Sequence, residues 1–236
     1  MLFENKFSRY LIYAIGEIIL VVIGILIALQ VNNWNEVRKN REKEKMILTA
    51  LNKDFSKNLD MFLTAKDIHI TAKKSAEELL KILDSLDNPD YANKSQNLSE
   101  ALQTIYLQAM ETHTYNPSNG VVNSLISSGN FQLIQNDTLQ NLIISWNDVL
   151  EDYQEEELAA SDFWNTRFEP FLIEKAVWSI RDVDKAFEVM KSPIHKSLIA
   201  RRIHYVGNVV ESIEQEPIEH YLREIVRLSS TSSTNE

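Results

Sequence analysis

The chain has no cysteine anywhere in its 236 residues. Disulfides, thiolate nucleophiles and cysteine-ligated zinc are therefore excluded. A thiol-free chain fits either side of a membrane, so this absence says nothing about redox compartment. Glycine and proline are scarce, at five each. Sheet proteins of this length need more turn residues than that, and the shortage favours an all-α fold. Positive charge is also short: 24 Lys and Arg face 34 Asp and Glu, a formal net charge of -10. A binder that tracks nucleic-acid phosphates needs a basic face, which argues against nucleic acid as a partner. Outside the N-terminal apolar run the glycines are Gly120, Gly129 and Gly207. They are too scattered to form a phosphate-cradling loop. No G-x-S-x-G elbow and no H-E-x-x-H helix occurs. The residues three before the histidines are Lys66, Met110, Ser192, Arg201 and Pro217, so the Glu-x-x-His of a bundle-core di-iron site is absent too. The expectation is a non-enzymatic protein with no catalytic residues, no cofactor and no metal.

What the chain does have is one long apolar run. From Leu11 to Val31 its strongly polar side chains are Glu17 and Gln30. Roughly 20 apolar residues at about 1.5 Å rise each cross a bilayer core. Tyr10 and Tyr13 at one end and Trp34 at the other are placed as interfacial anchors. The exit "LQVNNWNE" offers no small-x-small cleavage site, so the run reads as a permanent single-pass signal anchor. Within it Ala14, Glu17, Val21, Gly24, Ala28 and Val31 follow 3-4 spacing and share one stripe. Small residues on such a stripe let helix backbones approach, and Gly24 and Ala28 form a small-xxx-small pair. Ala14, Glu17, Val21, Gly24 and Ala28 are therefore the candidate interface of the membrane helix, with another copy or a membrane-protein partner. An ionised carboxylate facing lipid costs several kcal/mol. Glu17 is thus expected either to be hydrogen-bonded within that interface or to reach the headgroups beside Tyr10 and Tyr13.

The segment "YLIYAIGEIILVVIGILIALQVNNWNE", residues 10–36, resembles the N-terminal signature of a family of small single-span bacterial membrane proteins of unknown function. The close likeness covers about the first 40 residues. A looser one follows in "YNPSNGVVNSLISSGNFQLIQNDTLQNLI", Tyr115 to Ile143. The resemblance implies a bacterial inner-membrane location and an architecture, and carries no catalytic residues with it. Orientation has opposing signals. Arg38, Lys39, Arg41, Lys43 and Lys45 outnumber Lys6 and Arg9, which by the positive-inside rule would put the C-terminal domain in the cytoplasm. Members of the resembled family often carry a longer basic N-terminal extension that would hold the N-terminus inside. The expectation adopted is an extracytoplasmic domain.

From Ile25 to Asn88 there is neither glycine nor proline, so a helix can leave the membrane and continue unbroken. "NEVRKNREKEK" reads as a charged stalk, with Arg38 and Glu42 at i,i+4 spacing. Then comes a stripe: Leu48, Leu51, Phe55, Asn58, Phe62, Ala65, continuing through His69, Ala72, Ala76, Leu79, Leu83 and Leu86. Its 3-4 spacing predicts a long helix in coiled-coil-like contact, with other helices of the chain or with another copy. A loop is expected at 87–97, then an amphipathic helix ending near His113. A short helix follows from Pro117 and Ser118 to a C-terminal Gly129. The next helix is capped by Asn136 or Asp137 and kinked or ended at Pro170. Another short helix lies within 178–191. A last long one has Ser192 and Pro193 as N-cap and N1, and Pro217 interrupts it. The fold class is all-α: one N-terminal transmembrane helix, then an elongated bundle of about four main helices with a long first helix. The expected segments are 1–10 (N-terminal), 11–31 (span), 32–46 (polar stalk), 47–228 (bundle) and 229–236 (disordered tail).

Two weaker constellations remain. Glu216, His220 and Glu224 share a helix face at i,i+4 spacing, which suits a metal ligand set or, better, an ion-paired surface stripe. Glu151 to Glu157 could attract a cation, and a solvated helix face explains it equally well. His69 reads as a hydrogen-bonded seam residue, and Trp146, Trp164 and Trp178 as core. Two functions from different classes fit. One is a membrane-anchored interaction or sensing module whose helical domain binds a partner or small ligand. The other is a single-span subunit of an ion-coupled or transport complex, with Glu17 handling a proton.

Overall fold

The computed structural model describes residues 4–85, 99–175, 177, 183–215 and 217–230. The expected loop at 87–97, Trp178, Glu216 and the tail from 231 onward lie outside the described residues. The described backbone is helical, with no strand. Helix α1 spans Glu4–Ser85, 82 residues, in keeping with the absence of glycine and proline beyond Gly24. Helix α2 is Ser99–Met110, α3 Gly120–Ser128 and α4 Asp137–Phe163. A π segment, Trp164–Phe168, joins α4 to α5, Glu169–Glu174. Helices α6 (Val183–Lys191), α7 (Pro193–Gln215) and α8 (Ile218–Ser229) complete the chain.

The topology is an up-down-up-down bundle with α1 as first leg. The second leg descends as α2, an extended connector and α3. Ser75 bonds Gln108, Asn58 bonds Ser118, and Glu44 accepts from the Gln135 amide. The third leg, α4, climbs again: Phe55 meets Trp146, Phe62 meets Tyr153, and His69 meets Glu157. The fourth, α7 and α8, descends from His195 beside Tyr106 to Val226, whose carbonyl accepts from Asn52. The 3-4 stripe of α1 is the buried face: Leu51, Phe55, Asn58, Phe62, Ala65, His69, Ala72, Ala76, Leu79 and Leu83 are at most 5% exposed. The chain's own helices cover it.

Local chemistry sets the breaks. Gly129, at φ 70, ends α3 in the left-handed conformation that glycine adopts without steric cost. Asn136 caps α4 by accepting from the Leu139 amide at 2.9 Å. Ser192 accepts from the His195 amide at 3.3 Å, and Pro193 opens α7. Four boundaries differ from expectation. Helix α2 stops at Met110, because residues 111–119 peel away to bond other elements. Helix α3 starts at Gly120 rather than at Pro117, since the buried Asn58 side chain holds the Ser118 backbone, donating to its carbonyl and accepting from its amide, each at 2.9 Å. Pro170 does not end the third leg. The irregularity begins earlier, at Trp164, where the Glu169 amide bonds the Trp164 carbonyl five residues back. This π turn carries the change of register ahead of a residue with no N–H. At the C-terminus Ser229, expected in the tail, is buried and closes α8 with a hydrogen bond to the Ile225 carbonyl.

The core divides in two. The lower cluster joins Leu51 to Ala65 of α1 with Trp146 and Tyr153 of α4, Val209 and Ile213 of α7, and α8. The upper joins Ala76 to Leu83 with α2, Phe163, Phe168, Leu172 and Ile199. Between them the bundle has a polar waist.

Candidate functional site

Three legs place a polar side chain on an apolar stripe at the level of the waist. On α1 it is His69, between Ala65 and Ala72. On α4 it is Glu157, next in the series Ile143, Trp146, Leu150 and Tyr153. On α7 it is Arg202, within the series Ile199, Val206, Val209 and Ile213. They are 5%, 3% and 2% exposed, and charged groups are seldom buried this far without partners.

Each has partners. Glu157 Oε1 accepts from the Tyr153 hydroxyl at 2.7 Å and meets His69 Nε2 at 2.8 Å. Its Oε2 accepts from the Tyr115 amide at 2.7 Å, and Gln154 donates to the Tyr115 carbonyl. A carboxylate only accepts, so Nε2 of His69 carries the hydrogen and Nδ1 is left without a hydrogen bond among the described residues. Arg202 lies with its guanidinium carbon 4.9 Å from the Trp164 ring centroid. Its Nε donates to the Ala109 carbonyl and its Nη2 to that of Glu111, which caps the C-terminal end of α2 with a positive charge. No carboxylate pairs with it among the described residues. Burial pushes the guanidinium down to about 10, so it stays charged at neutral pH. The Tyr115 hydroxyl is buried with no partner among the described residues. Burial, and then the charge of Glu157, push that phenol up.

A cavity of about 360 Å³ opens onto this layer. His69, Glu157 and Arg202 line its inner part, and the exposed residues Glu111, Thr112 and His113 line its mouth. Its volume lies at the small end of the range for ligand pockets. Among the described residues no group of three His, Asp or Glu could hold a metal ion.

A second buried imidazole, His195, is of another kind. Its Nδ1 donates to the Met190 carbonyl at 3.0 Å and its Nε2 accepts from the Tyr106 hydroxyl at 3.2 Å. The neutral ring satisfies both nitrogens, and burial pushes its pKa down to about 4.

The residues singled out in the apolar run stand apart from this layer. Ala14, Glu17, Val21, Gly24 and Ala28 are exposed, as are Tyr13 at 78% and Trp34 at 65%, and no other described residue covers them. Arg38 lies over the Trp34 ring at 5.8 Å. Nothing is described of the Tyr10 side chain. Of the proposed surface stripe, Glu224 pairs with Arg227 at 2.7 Å, and that hydrogen bond holds its carboxyl below the usual range. His220 is exposed. Glu219, not singled out before, pairs with both Lys66 and Arg223 at 2.7 Å. The acidic stretch is solvated at Glu151, Asp152 and Glu155, and the reading as a wholly solvated face fails at Glu157, which turns inward. Sequence reasoning missed Arg202, Glu111 and His113 as members of one site. The signal for Arg202 was present in the 3-4-3-4 series 199, 202, 206, 209, 213, which a cation occupies at a core position.

No curated protein and no solved structure matches the chain. Residues 17–168 match a family of unknown function, DUF6090, a stretch that takes in the apolar helix from Glu17 together with His69, Glu111, His113 and Glu157. Since the match covers more than half of the chain, the protein belongs to that family.

Proposed function

We propose that the protein is a membrane-anchored, non-enzymatic sensing module, with the apolar part of α1 spanning a bacterial cytoplasmic membrane once and the waist cavity taking a small ligand. The observation that carries this reading is the continuity of α1. One unbroken helix holds both the apolar segment from Leu11 and His69 of the waist. The distance from Val31 to His69 is about 57 Å at 1.5 Å per residue. A helix of that kind can pass a tilt or rotation from one end to the other. The exposed apolar side chains from Leu11 to Val31, with Tyr13 and Trp34 flanking them, support the span, since soluble surfaces do not carry a patch of this size. The Ala14–Ala28 stripe is then the contact with a second copy or a membrane partner, and the bundle is extracytoplasmic.

The test uses the full chain in membranes. Single cysteines can be placed without background because the chain has none. Ser161 is half-buried in the cavity lining, and filling the cavity by Ser161→Trp is expected to change the disulfide yield between copies carrying a cysteine at 24 or 28. A yield that does not respond would refute transmission along α1. A cysteine at the exposed position 124 is expected to react with a membrane-impermeant maleimide in intact cells, and protection there until lysis would reverse the orientation. A second reading rests on Glu17, an exposed carboxylate in an apolar helix with no partner among the described residues. If the chain is an ion-coupled subunit, Glu17→Gln abolishes function while leaving expression and assembly intact.

A further inference from the structure

The polar groups at the waist are unequally committed, and the pattern of vacancies describes a ligand. Glu157 is fully engaged by the Tyr153 hydroxyl, the His69 ring and the Tyr115 amide. Arg202 has five N–H donors and uses two on backbone carbonyls, which leaves three with no acceptor among the described residues. A guanidinium buried to this extent against carbonyl dipoles and the Trp164 ring has no ion-paired counter-charge among the described residues. Against this cation stand two unused acceptors that line the same cavity: the Glu111 carboxylate, which makes no hydrogen bond or ion pair among the described residues, and His69 Nδ1.

The charge balance selects among anions. Arg202 contributes one positive charge, and Glu111 and Glu157 one negative charge each. A multiply charged anion such as phosphate would be attracted by one group and repelled by two at close range. A ligand with one carboxylate and one ammonium group meets an opposite charge at each end. A 360 Å³ cavity holds about a dozen waters at about 30 Å³ each, room for a small amphoteric molecule. We infer that the waist cavity binds a small zwitterion of the α-amino-acid class, its carboxylate on Arg202 and its ammonium group on Glu111 and His69 Nδ1. This rests on the reading of the cavity as the ligand site of a sensing module and names the chemistry that it senses.

The experiment is isothermal titration calorimetry on the full chain in detergent micelles. The probes are the common L-amino acids taken singly, with acetate, methylammonium and inorganic phosphate alongside. At least one amino acid is expected to bind, with acetate and methylammonium each at least about tenfold weaker, the worth of one charge-assisted hydrogen bond. Glu111→Gln is expected to weaken that amino acid about tenfold and not to weaken its deaminated carboxylic-acid analogue, which gains from the loss of a like charge. Position 111 is exposed, so this variant keeps the fold where Arg202→Gln, which uncaps α2, need not. Binding of no amino acid, or equal effects of Glu111→Gln on the amino acid and its deaminated analogue, would overturn the inference. If acetate or phosphate binds as tightly as any amino acid and the binding is lost in Arg202→Gln, the zwitterion assignment fails while the sensing reading stands. That reading has its own refutation in the crosslinking response of α1.

Discussion

Removing the carboxylate of Glu157 should separate the effects of its charge from those of its hydrogen bonds. The side chain is 3% exposed and accepts three hydrogen bonds, from the Tyr153 hydroxyl at 2.7 Å, His69 Nε2 at 2.8 Å and the Tyr115 amide at 2.7 Å. In Glu157→Leu the volume is roughly kept and all three of these hydrogen bonds are lost. A buried donor left unsatisfied costs about 1–3 kcal/mol. The Tyr115 amide cannot turn elsewhere, because the Asn58 clamp on Ser118 and Gln154 on its own carbonyl fix the connector. The expected loss is about 3–6 kcal/mol, much of the stability of an ordinary domain. Glu157→Gln should be far milder, about 1–2 kcal/mol, the difference between charged and neutral hydrogen bonds. Its carbonyl can face the Tyr115 amide while its NH₂ donates to the Tyr153 oxygen and to His69 Nε2. For that the imidazole must move its hydrogen to Nδ1, on the cavity side. Urea unfolding of the full chain in micelles, followed by the fluorescence of buried Trp146, measures both variants. A leucine variant as stable as the parent, or as mild as the glutamine one, would refute the network.

Three further outcomes are expected. His195 stays neutral in the fold, with a pKa of about 4 against 6.5 unfolded, so between those values the unfolded chain binds the proton and the folded chain does not. Stability present above pH 6.5 therefore falls by about 3 kcal/mol as pH drops to 4, and His195→Phe should flatten that part of a pH–stability curve. An unchanged slope would count against the buried neutral ring. Asn58→Leu should cost about 2–3 kcal/mol in the same urea assay by orphaning the Ser118 amide and carbonyl, whereas Asn58→Asp, which keeps the acceptor, should retain part of it. Single cysteines at 14, 21, 24 and 28 should crosslink in membranes more than cysteines at 19, 22 and 26, and equal yields around the helix would dismiss the stripe as an interface.

The course of α1 was legible because its stripe obeys one period from Leu48 to Leu83 and nothing in that span breaks a helix. Its partner helices were legible for the same reason. The connector was not. The helix was expected to run on to about His113 and the next to start at Pro117, and long-range bonds to Asn58, Glu157 and Trp146 hold residues 115–119 out of both. Those bonds join positions far apart in sequence, which local periodicity does not register. The π segment was hidden likewise, since Pro170 marks a disturbance without fixing where the extra residue is absorbed. For the site, composition misled. Glu157 belongs to a run of acids that resembles a solvated face, and its burial follows from being four residues beyond Tyr153 on the same stripe. A polar residue on a core stripe is the informative anomaly, and three such residues on three legs at one level were a site in outline.

If the cavity takes a small ligand as proposed, the waist is where a bundle with two apolar cores would respond to it. Within each core, packing is dense and a change in one side chain is resisted by many neighbours. At the waist the legs meet through a few directional bonds instead. Helix α1 enters through His69, the connector through the Tyr115 amide, α4 through Glu157, and α7 through Arg202, which also holds the end of α2. Every one of these bonds depends on a charge or a proton position. A ligand that neutralises Arg202 loosens its hold on the Ala109 and Glu111 carbonyls, and one that bonds Nδ1 of His69 strengthens the opposite nitrogen as a donor to Glu157. Both changes act between the two cores, at the level where directional bonds join the legs. The helix common to both clusters is α1, and its far end is the apolar segment. A bound zwitterion in this position would bias the one element that leaves the bundle, and the free energy available for that bias is limited to its differential affinity for the two arrangements of the waist.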